Sequence, residues 1–290
     1  MRAQLQSELA RLLSSRVREV SAVGGGDIND AYRVELDDGR KLFVKTHARP
    51  LPGMFACEAR GLQWLAEARA LRIPQVLAVS DEEPAFLALE LIEPAARVRD
   101  HDERLGRGLA ALHRSGAPGF GLAYDNYIAT LPQPNTAASG EGWTRFYAER
   151  RLEPQLARAV DSGRANRALR SGLERLLAQL EALCGPEEPP ARLHGDLWGG
   201  NAMADERGEP VLIDPAVYGG HREIDLAMMQ LFGGFGPRCF AAYDEVYPRA
   251  QGHEERVALY QLYPLLVHVN LFGGSYAASV ERIVRRYVGG

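Results

Sequence analysis

The chain has 290 residues, 46% hydrophobic and 25% charged, enough to bury roughly three-quarters of the surface its unfolded form would expose, which excludes a disordered or fibrous protein. Lysine and arginine number 34 against 38 aspartates and glutamates, a net charge of -4 without any long single-sign block, so the electrostatic footprint of a nucleic-acid binder is missing. There is no apolar run of about 18 residues to suggest a membrane span, and three widely spaced cysteines, Cys57, Cys184 and Cys239, fit reduced thiols in a cytoplasmic protein.

At the N-terminus, charges interleave with Leu5, Leu9, Leu12 and Leu13, which share one helical face; this is not the apolar core of a signal peptide and argues against export. Val17 to Val23 and Ala31 to Leu36 read as strands around Gly24-Gly25-Gly26-Asp27-Ile28-Asn29-Asp30. Asp37-Asp38-Gly39-Arg40 then turns the chain into a third strand, Lys41 to Thr46. Met54 to Ala70 carries Phe55, Leu62 and Leu65 near helical spacing, and Val76 to Val79 with Phe86 to Ile92 adds a strand pair. Residues 1–92 are therefore expected to form a small antiparallel sheet with one packed helix.

Beyond Glu93-Pro94 the pattern turns helical: Leu105, Leu109 and Leu112 recur every three or four residues, as do Leu169, Leu173, Leu176, Leu177 and Leu180. Between these stripes lies Gly116 to Gly142, rich in Gly, Pro and Asn and too long for an ordinary connection. After Pro189-Pro190 comes Leu193-His194-Gly195-Asp196-Leu197-Trp198-Gly199-Gly200-Asn201, and then a short apolar strand, Val211-Leu212-Ile213, ending at Asp214. The fold class expected is α+β with two lobes, residues 1–92 binding nucleotide and the mainly helical residues 93–290 carrying catalysis and substrate.

The chemistry is read from two constellations. Asp196 and Asn201 are five apart and Asp214 follows a β-run, the order of a kinase catalytic loop and its metal-binding aspartate. Asp196 would accept the proton of an attacking hydroxyl, while Asn201 and Asp214 would hold Mg²⁺ against the phosphates of ATP. Upstream, in matching order, stand the glycine-rich turn Gly24, Gly25 and Gly26, then Lys45 on the third strand, then Glu58 in the helix. Glycine permits close approach of backbone amides to phosphate, and Lys45 would pair with phosphate oxygens and Glu58. Lys45 is one of only two lysines, with Lys41, among the 34 basic residues. Turns are rich in Asp and Asn, so either constellation alone could be structural; their co-occurrence in order argues for a site. Glu90, Leu91 and Ile92, where the sheet meets the helical lobe, are candidates for hydrogen bonding an adenine edge, although a buried strand without a ligand role gives the same pattern.

With Ile213-Asp214-Pro215-Ala216, Gly220-His221-Arg222-Glu223-Ile224-Asp225-Leu226, Phe43-Val44-Lys45, Asp125-Asn126-Tyr127-Ile128 and Gln133-Pro134-Asn135, the segment Leu193 to Asn201 resembles the fructosamine kinase (ketosamine-3-kinase) family over nearly the whole chain. The resemblance implies a protein-kinase-like fold and ATP- and Mg²⁺-dependent phosphorylation of the 3-hydroxyl of ketosamines, small or protein-attached, in deglycation. It gives Lys45, Glu58, Asp196, Asn201 and Asp214 the roles read above. Asp27 stands where some members have a cysteine, which removes the basis for a thiol switch in that loop. Trp198 offers an indole face for a sugar, and His221 and Glu223 are candidate substrate-side groups or structural ones. Asp225 is expected to brace the catalytic loop, and His113 to be a satisfied core histidine. An aminoglycoside, choline or homoserine kinase of the same fold competes with this reading, with Asp-Pro-Ala arguing against it. A silent nucleotide-binding module also competes, and retention of all five polar residues argues against that.

Overall fold

The computed structural model describes residues 3–24, 29–138 and 140–289. Helix α1 (Ala3–Leu13) precedes strands β1 (Val17–Val23), β2 (Asp30–Leu36) and β3 (Lys41–Thr46); helix α2 (Met54–Glu67) and strands β4 (Val76–Ser80) and β5 (Phe86–Glu90) follow. The strands make one antiparallel sheet in the order β1-β2-β3-β5-β4, which puts β3 at its centre, with Lys45 facing Ala31 of β2 and Leu87 of β5. Successive side chains of a strand point to opposite faces. Leu42 and Val44 accordingly pack with Leu5, Leu9 and Leu13 of α1, while Phe43 turns to the face covered by Phe55, Leu62 and Leu65 of α2. Lys45 shares that second face.

Three local expectations are corrected. Leu12 is 40% exposed, because the buried stripe of α1 runs through Leu5, Leu9 and Leu13 at four-residue intervals and Leu12 falls beside it. Helix α2 stops at Glu67, before Ala70, where Arg69 turns the chain away at φ 50°. Strand β5 stops at Glu90, so Leu91 and Ile92 lie in the irregular segment 91–100.

That segment leads into α3 (His101–Arg114). The loop that follows holds a short hairpin, β6 (Asn126–Ile128) and β7 (Leu131–Gln133). Next come α4 (Trp143–Phe146), a π-helical turn over Tyr147–Leu152, α5 (Glu153–Asp161), α6 (Arg167–Leu177) and α7 (Leu180–Leu183), so Leu180 belongs to a helix of its own. Strands β8 (Ala191–Leu193), β9 (Ala202–Ala204), β10 (Pro210–Leu212) and β11 (Tyr218–Gly220) form two small ladders, β8 with β11 and β9 with β10. Helices α8 (Glu223–Phe232), α9 (Pro237–Val246), α10 (His253–Tyr260), α11 (Leu262–Phe272) and α12 (Ser275–Val288) complete the chain.

One apolar core crosses from the sheet to the helical lobe: side chains of α2, β5 and α3 merge with Leu197, Leu212, Leu226 and Met229. Burying a leucine contributes about 1.5–3 kcal/mol, so this core fixes Leu197, and with it the neighbouring Asp196, against the sheet lobe. No helix among the described residues is long and apolar enough to cross a membrane, and all three cysteines are free thiols.

Candidate active site

Strand β8 delivers His194-Gly195-Asp196 into a tight loop held from behind. Asp225, in the first turn of α8 and fully buried, accepts the amide N–H of His194 at 2.8 Å and of Gly195 at 2.9 Å, and faces His113 Nε2 at 3.1 Å. Burial alone would raise its pKa; the bonds from His113 and the Gly195 amide outweigh that and hold the carboxyl below its usual range. The other ring nitrogen of His113 meets the Tyr243 hydroxyl at 2.8 Å, so this histidine is satisfied within the core.

Burial lowers the pKa of His194, which keeps the imidazole neutral. Nε2 lies 2.9 Å from the Ile213 carbonyl, where only a donor fits, leaving Nδ1 to accept the Asp196 amide at 3.2 Å. His194 therefore ties the Asp196 loop to the strand end that carries Asp214 and is spent structurally. Gly195 sits at φ 82°, and a Cβ there would come within 2.0 Å of the Ala216 carbonyl. Gly195→Ala should therefore lose at least the roughly 1–2 kcal/mol of a left-handed non-glycine residue, with the clash added. Urea unfolding checks this; a variant as stable as the parent would contradict the geometry.

Asp196 projects beside Asn201, whose Nδ2 donates to the Asp196 carbonyl at 2.8 Å and to its carboxylate at 3.2 Å. Burial pushes the Asp196 carboxyl up to about 7; the Asn201 bond opposes this, and the charges of Asp214 and Asp225 add to it. On the facing lobe, Lys45 Nζ lies 2.6 Å from Glu58 and 2.5 Å from Asp214. Burial alone would depress the ammonium's pKa, but the two carboxylates outweigh it and keep Lys45 charged. For Glu58, burial raises the carboxyl against the pull of Lys45.

These groups wall a single cleft of about 530 Å³, with Phe43, Lys45 and Glu58 on one side and Asp196, Asn201 and Asp214 on the other. Gly24 and Ala31 line its sheet end and Trp198 its outer edge; Trp198 is 43% exposed, which removes the alternative of a core tryptophan. Gly25 and Gly26, with Asp27, lie outside the described residues.

Five expected site residues are placed away from the cleft wall. The Glu90 amide donates to the Gln75 carbonyl at 2.9 Å and the Leu91 amide to the Lys41 carbonyl at 3.2 Å, so neither amide is free; Ile92 is 7% exposed and does not line the cleft. His221 and Glu223 are corrected outright as substrate-side groups. The His221 ring, 1% exposed, stacks on Tyr260 at 5.3 Å, and Glu223 takes a two-pronged bond from Arg256 at 2.9 and 2.7 Å. The first turn of α8 faces the lobe interior, so Glu223 pairs there, and His221 just before it is buried with its ring against Tyr260. The Lys45–Asp214 contact and the presence of Met54 and Cys57 in the wall were not anticipated, whereas Asn126 and Tyr127 reach the cleft from the long loop 116–142, as a loop of that length often does.

Among the described residues no cluster of three or more His, Cys, Asp or Glu makes a self-sufficient metal cage. The oxygens of Asn201 and Asp214 nevertheless suit Mg²⁺, which usually takes one or two protein carboxylates plus nucleotide phosphates and water. With Asn201 Nδ2 spent on Asp196, Oδ1 is the atom that would be free to hold a metal ion, and the Asp214 side chain remains 45% exposed.

A family model described as fructosamine kinase matches residues 1–289. A probable ketoamine kinase of Enterococcus faecium is 39% identical over 274 residues, 93% of this chain and 95% of the relative. The chloroplastic protein-ribulosamine 3-kinase of Arabidopsis thaliana is 37% identical over 279 residues, 95% of this chain and 84% of its own length. A crystal structure of a candidate fructosamine-3-kinase from Thermobifida fusca has a TM-score of 0.90 at 40% identity over 99% of both chains. An aminoglycoside phosphotransferase solved with AMP-PNP and hygromycin B has a TM-score of 0.64 at 16% identity, covering 99% of this chain and 100% of that one, which shows a shared protein-kinase-like fold. Matched by the family model over residues 1–289 and 39% identical to a ketoamine kinase over 93% of its length, the chain belongs to the fructosamine kinase family.

Proposed function

We propose that this chain transfers the γ-phosphoryl group of ATP to the sugar 3-hydroxyl of ketosamines, fructosamine or ribulosamine adducts, including those carried on protein lysines. Family membership carries the reaction class, phosphorylation of a ketosamine. The observation that carries the chemistry is the placing of Lys45, held 2.6 Å from Glu58 and 2.5 Å from Asp214, across one cleft from Asp196 and Asn201.

Each residue then has a physical task. Lys45 presents a fixed positive charge to the nucleotide phosphates, oriented by Glu58. Asp196 accepts the proton of the 3-hydroxyl as the new O–P bond forms and the bond to the leaving ADP breaks. Asn201 Oδ1 and Asp214 would hold Mg²⁺, which when bound neutralises phosphate charge. Trp198 offers an apolar face to sugar C–H groups beside Asp196, and its exposure leaves room for a lysine that protrudes from a larger protein. The three free thiols suit a reducing, cytoplasmic setting.

With Asp196 pushed up to about 7, the base is protonated on the acid side and ionised on the alkaline side. Because kcat/KM reports groups of the free enzyme, it should rise about tenfold per pH unit below 7 and level off above. A profile flat from pH 5.5 to 8 would contradict Asp196 as base. The reaction itself is tested by ATP consumption on ribulosyl-lysine with Mg²⁺ and again with excess chelator: turnover only with the metal is expected, and none in either case would overturn the reading.

A further inference from the structure

Hairpin β6–β7 has no task in the reaction outlined above, yet it bonds to the stretch just after Asp214 and packs on α2, the helix that carries Glu58. Its base is buried and fully cross-linked. Asn126 Nδ2 donates to the Val217 carbonyl at 2.9 Å, and Gln133 Nε2 donates to the Ala216 carbonyl at 3.1 Å and to Asn126 Oδ1 at 2.8 Å. The Tyr263 hydroxyl donates to Gln133 Oε1 at 2.6 Å, and Asn135 Nδ2 adds a second bond to Asn126 Oδ1 at 2.7 Å. Asn126, Gln133 and Asn135 are all at least 95% buried, conditions under which a satisfied polar network is rigid. Ala216 and Val217 lie two and three residues after Asp214, and the Ala216 amide donates to the His194 carbonyl at 2.9 Å. The hairpin base is thus fastened to the Asp214 turn and, through one residue, to the catalytic loop.

Tyr127, next to Asn126 on β6, and Asp125 just before the strand reach the other lobe. The Tyr127 hydroxyl donates to the Pro52 carbonyl at 2.7 Å, two residues before α2 begins, and Cys57 Sγ on α2 lies 3.5 Å from the Asp125 carbonyl. Glu58 is the next residue of that helix. In protein kinases the pairing of the strand lysine with the helix glutamate depends on how that helix is positioned; here a rigid hairpin reaches it from the lobe that carries Asp214.

We propose that hairpin β6–β7 is a brace that sets α2 against the Asp214 turn, and that Tyr127 is a positioning residue acting through Glu58 on the Lys45 phosphate site. The brace keeps the Lys45–Glu58–Asp214 cluster assembled before nucleotide arrives. The inference rests on the functional reading above, and its test uses ATP binding without any ketosamine so that the two can fail separately.

Tyr127→Phe removes one hydroxyl from a partly exposed ring and keeps the ring in place. Titration calorimetry with Mg-ATP should show affinity weakened about 2- to 10-fold, the effect of one net hydrogen bond, with KM for ATP raised in parallel and KM for the ketosamine unchanged. The loss should vanish when Tyr127→Phe is added to Glu58→Gln, because Tyr127 then has nothing left to position. Equal ATP affinity in parent and Tyr127→Phe overturns the brace, as does a loss of melting temperature with affinity intact. Additivity with Glu58→Gln would also overturn it, since that marks a direct contact with nucleotide. A parent protein that takes up no ATP overturns the functional reading and the brace with it.

Discussion

Asp196→Asn is expected to lower kcat by about 10²- to 10⁴-fold, the usual contribution of a general base, while ATP affinity stays close to that of the parent. The amide keeps the shape of the side chain and can still meet Asn201, but it cannot take the proton of the hydroxyl. The same substitution should leave the fold at least as stable. A carboxyl whose pKa is raised from the usual value near 4 in the unfolded chain to about 7 in the fold releases its proton more readily when unfolded. Stability therefore falls as pH rises through that window, and at pH 8 the parent carries an ionised, desolvated Asp196 that the variant lacks. A melting temperature at pH 8 equal to or above the parent's, together with the catalytic loss, separates chemistry from misfolding. Retained turnover would remove Asp196 from the mechanism; a large drop in melting temperature would contradict the burial argument.

The second large effect is at Asp225. Asp225→Ala strips the His194 and Gly195 amides and His113 of their shared acceptor inside the protein. Leaving such a network half made costs about 3–5 kcal/mol, a fall in melting temperature on the order of 10 °C for a domain of this size. Because the folded carboxyl is held below its usual range, its contribution is present above the ordinary carboxylate pKa and disappears as pH falls through the folded value. The parent should thus lose stability on acidification faster than Asp225→Ala, and their unfolding curves should converge toward low pH. Asp225→Asn, which retains one acceptor oxygen, should fall between them. An alanine variant within about 1 kcal/mol of the parent, what a single net hydrogen bond contributes, would mean that the loop is held by something else.

What the sequence revealed, and what it did not, follows from the range of the interactions involved. Alternation along Leu42 to Lys45 sufficed to set Lys45 on the face with Phe43 and opposite Val44, because strand periodicity is local; which face packs on α2 is seen only in the fold. The meeting of Asp196, Asn201 and Asp214 at one cleft was legible through their spacing, that of a kinase catalytic loop and its metal-binding aspartate. His221 and Glu223 misled because a polar residue near a motif looks available, whereas their partners, Tyr260 and Arg256, lie more than thirty residues away and pair with them inside the lobe. The role of the β6–β7 hairpin was hidden for the same reason: Asn126 and Gln133 bond to Val217 and Ala216, some ninety residues on. Leu12 failed more simply, one position off a buried stripe that repeats every four residues.

The central claim is that a ketosamine hydroxyl receives the phosphoryl group. It is tested most directly by ADP release with Mg-ATP over ribulosyl-lysine, fructosyl-lysine, an aminoglycoside and choline, with the phosphorylated carbon located by phosphorus–proton NMR and Asp196→Asn run alongside. Turnover confined to the ketosamines, with phosphate on the sugar 3-oxygen and loss in the variant, is the result predicted. Turnover of the aminoglycoside or choline without the ketosamines, or phosphate at another position, would contradict it.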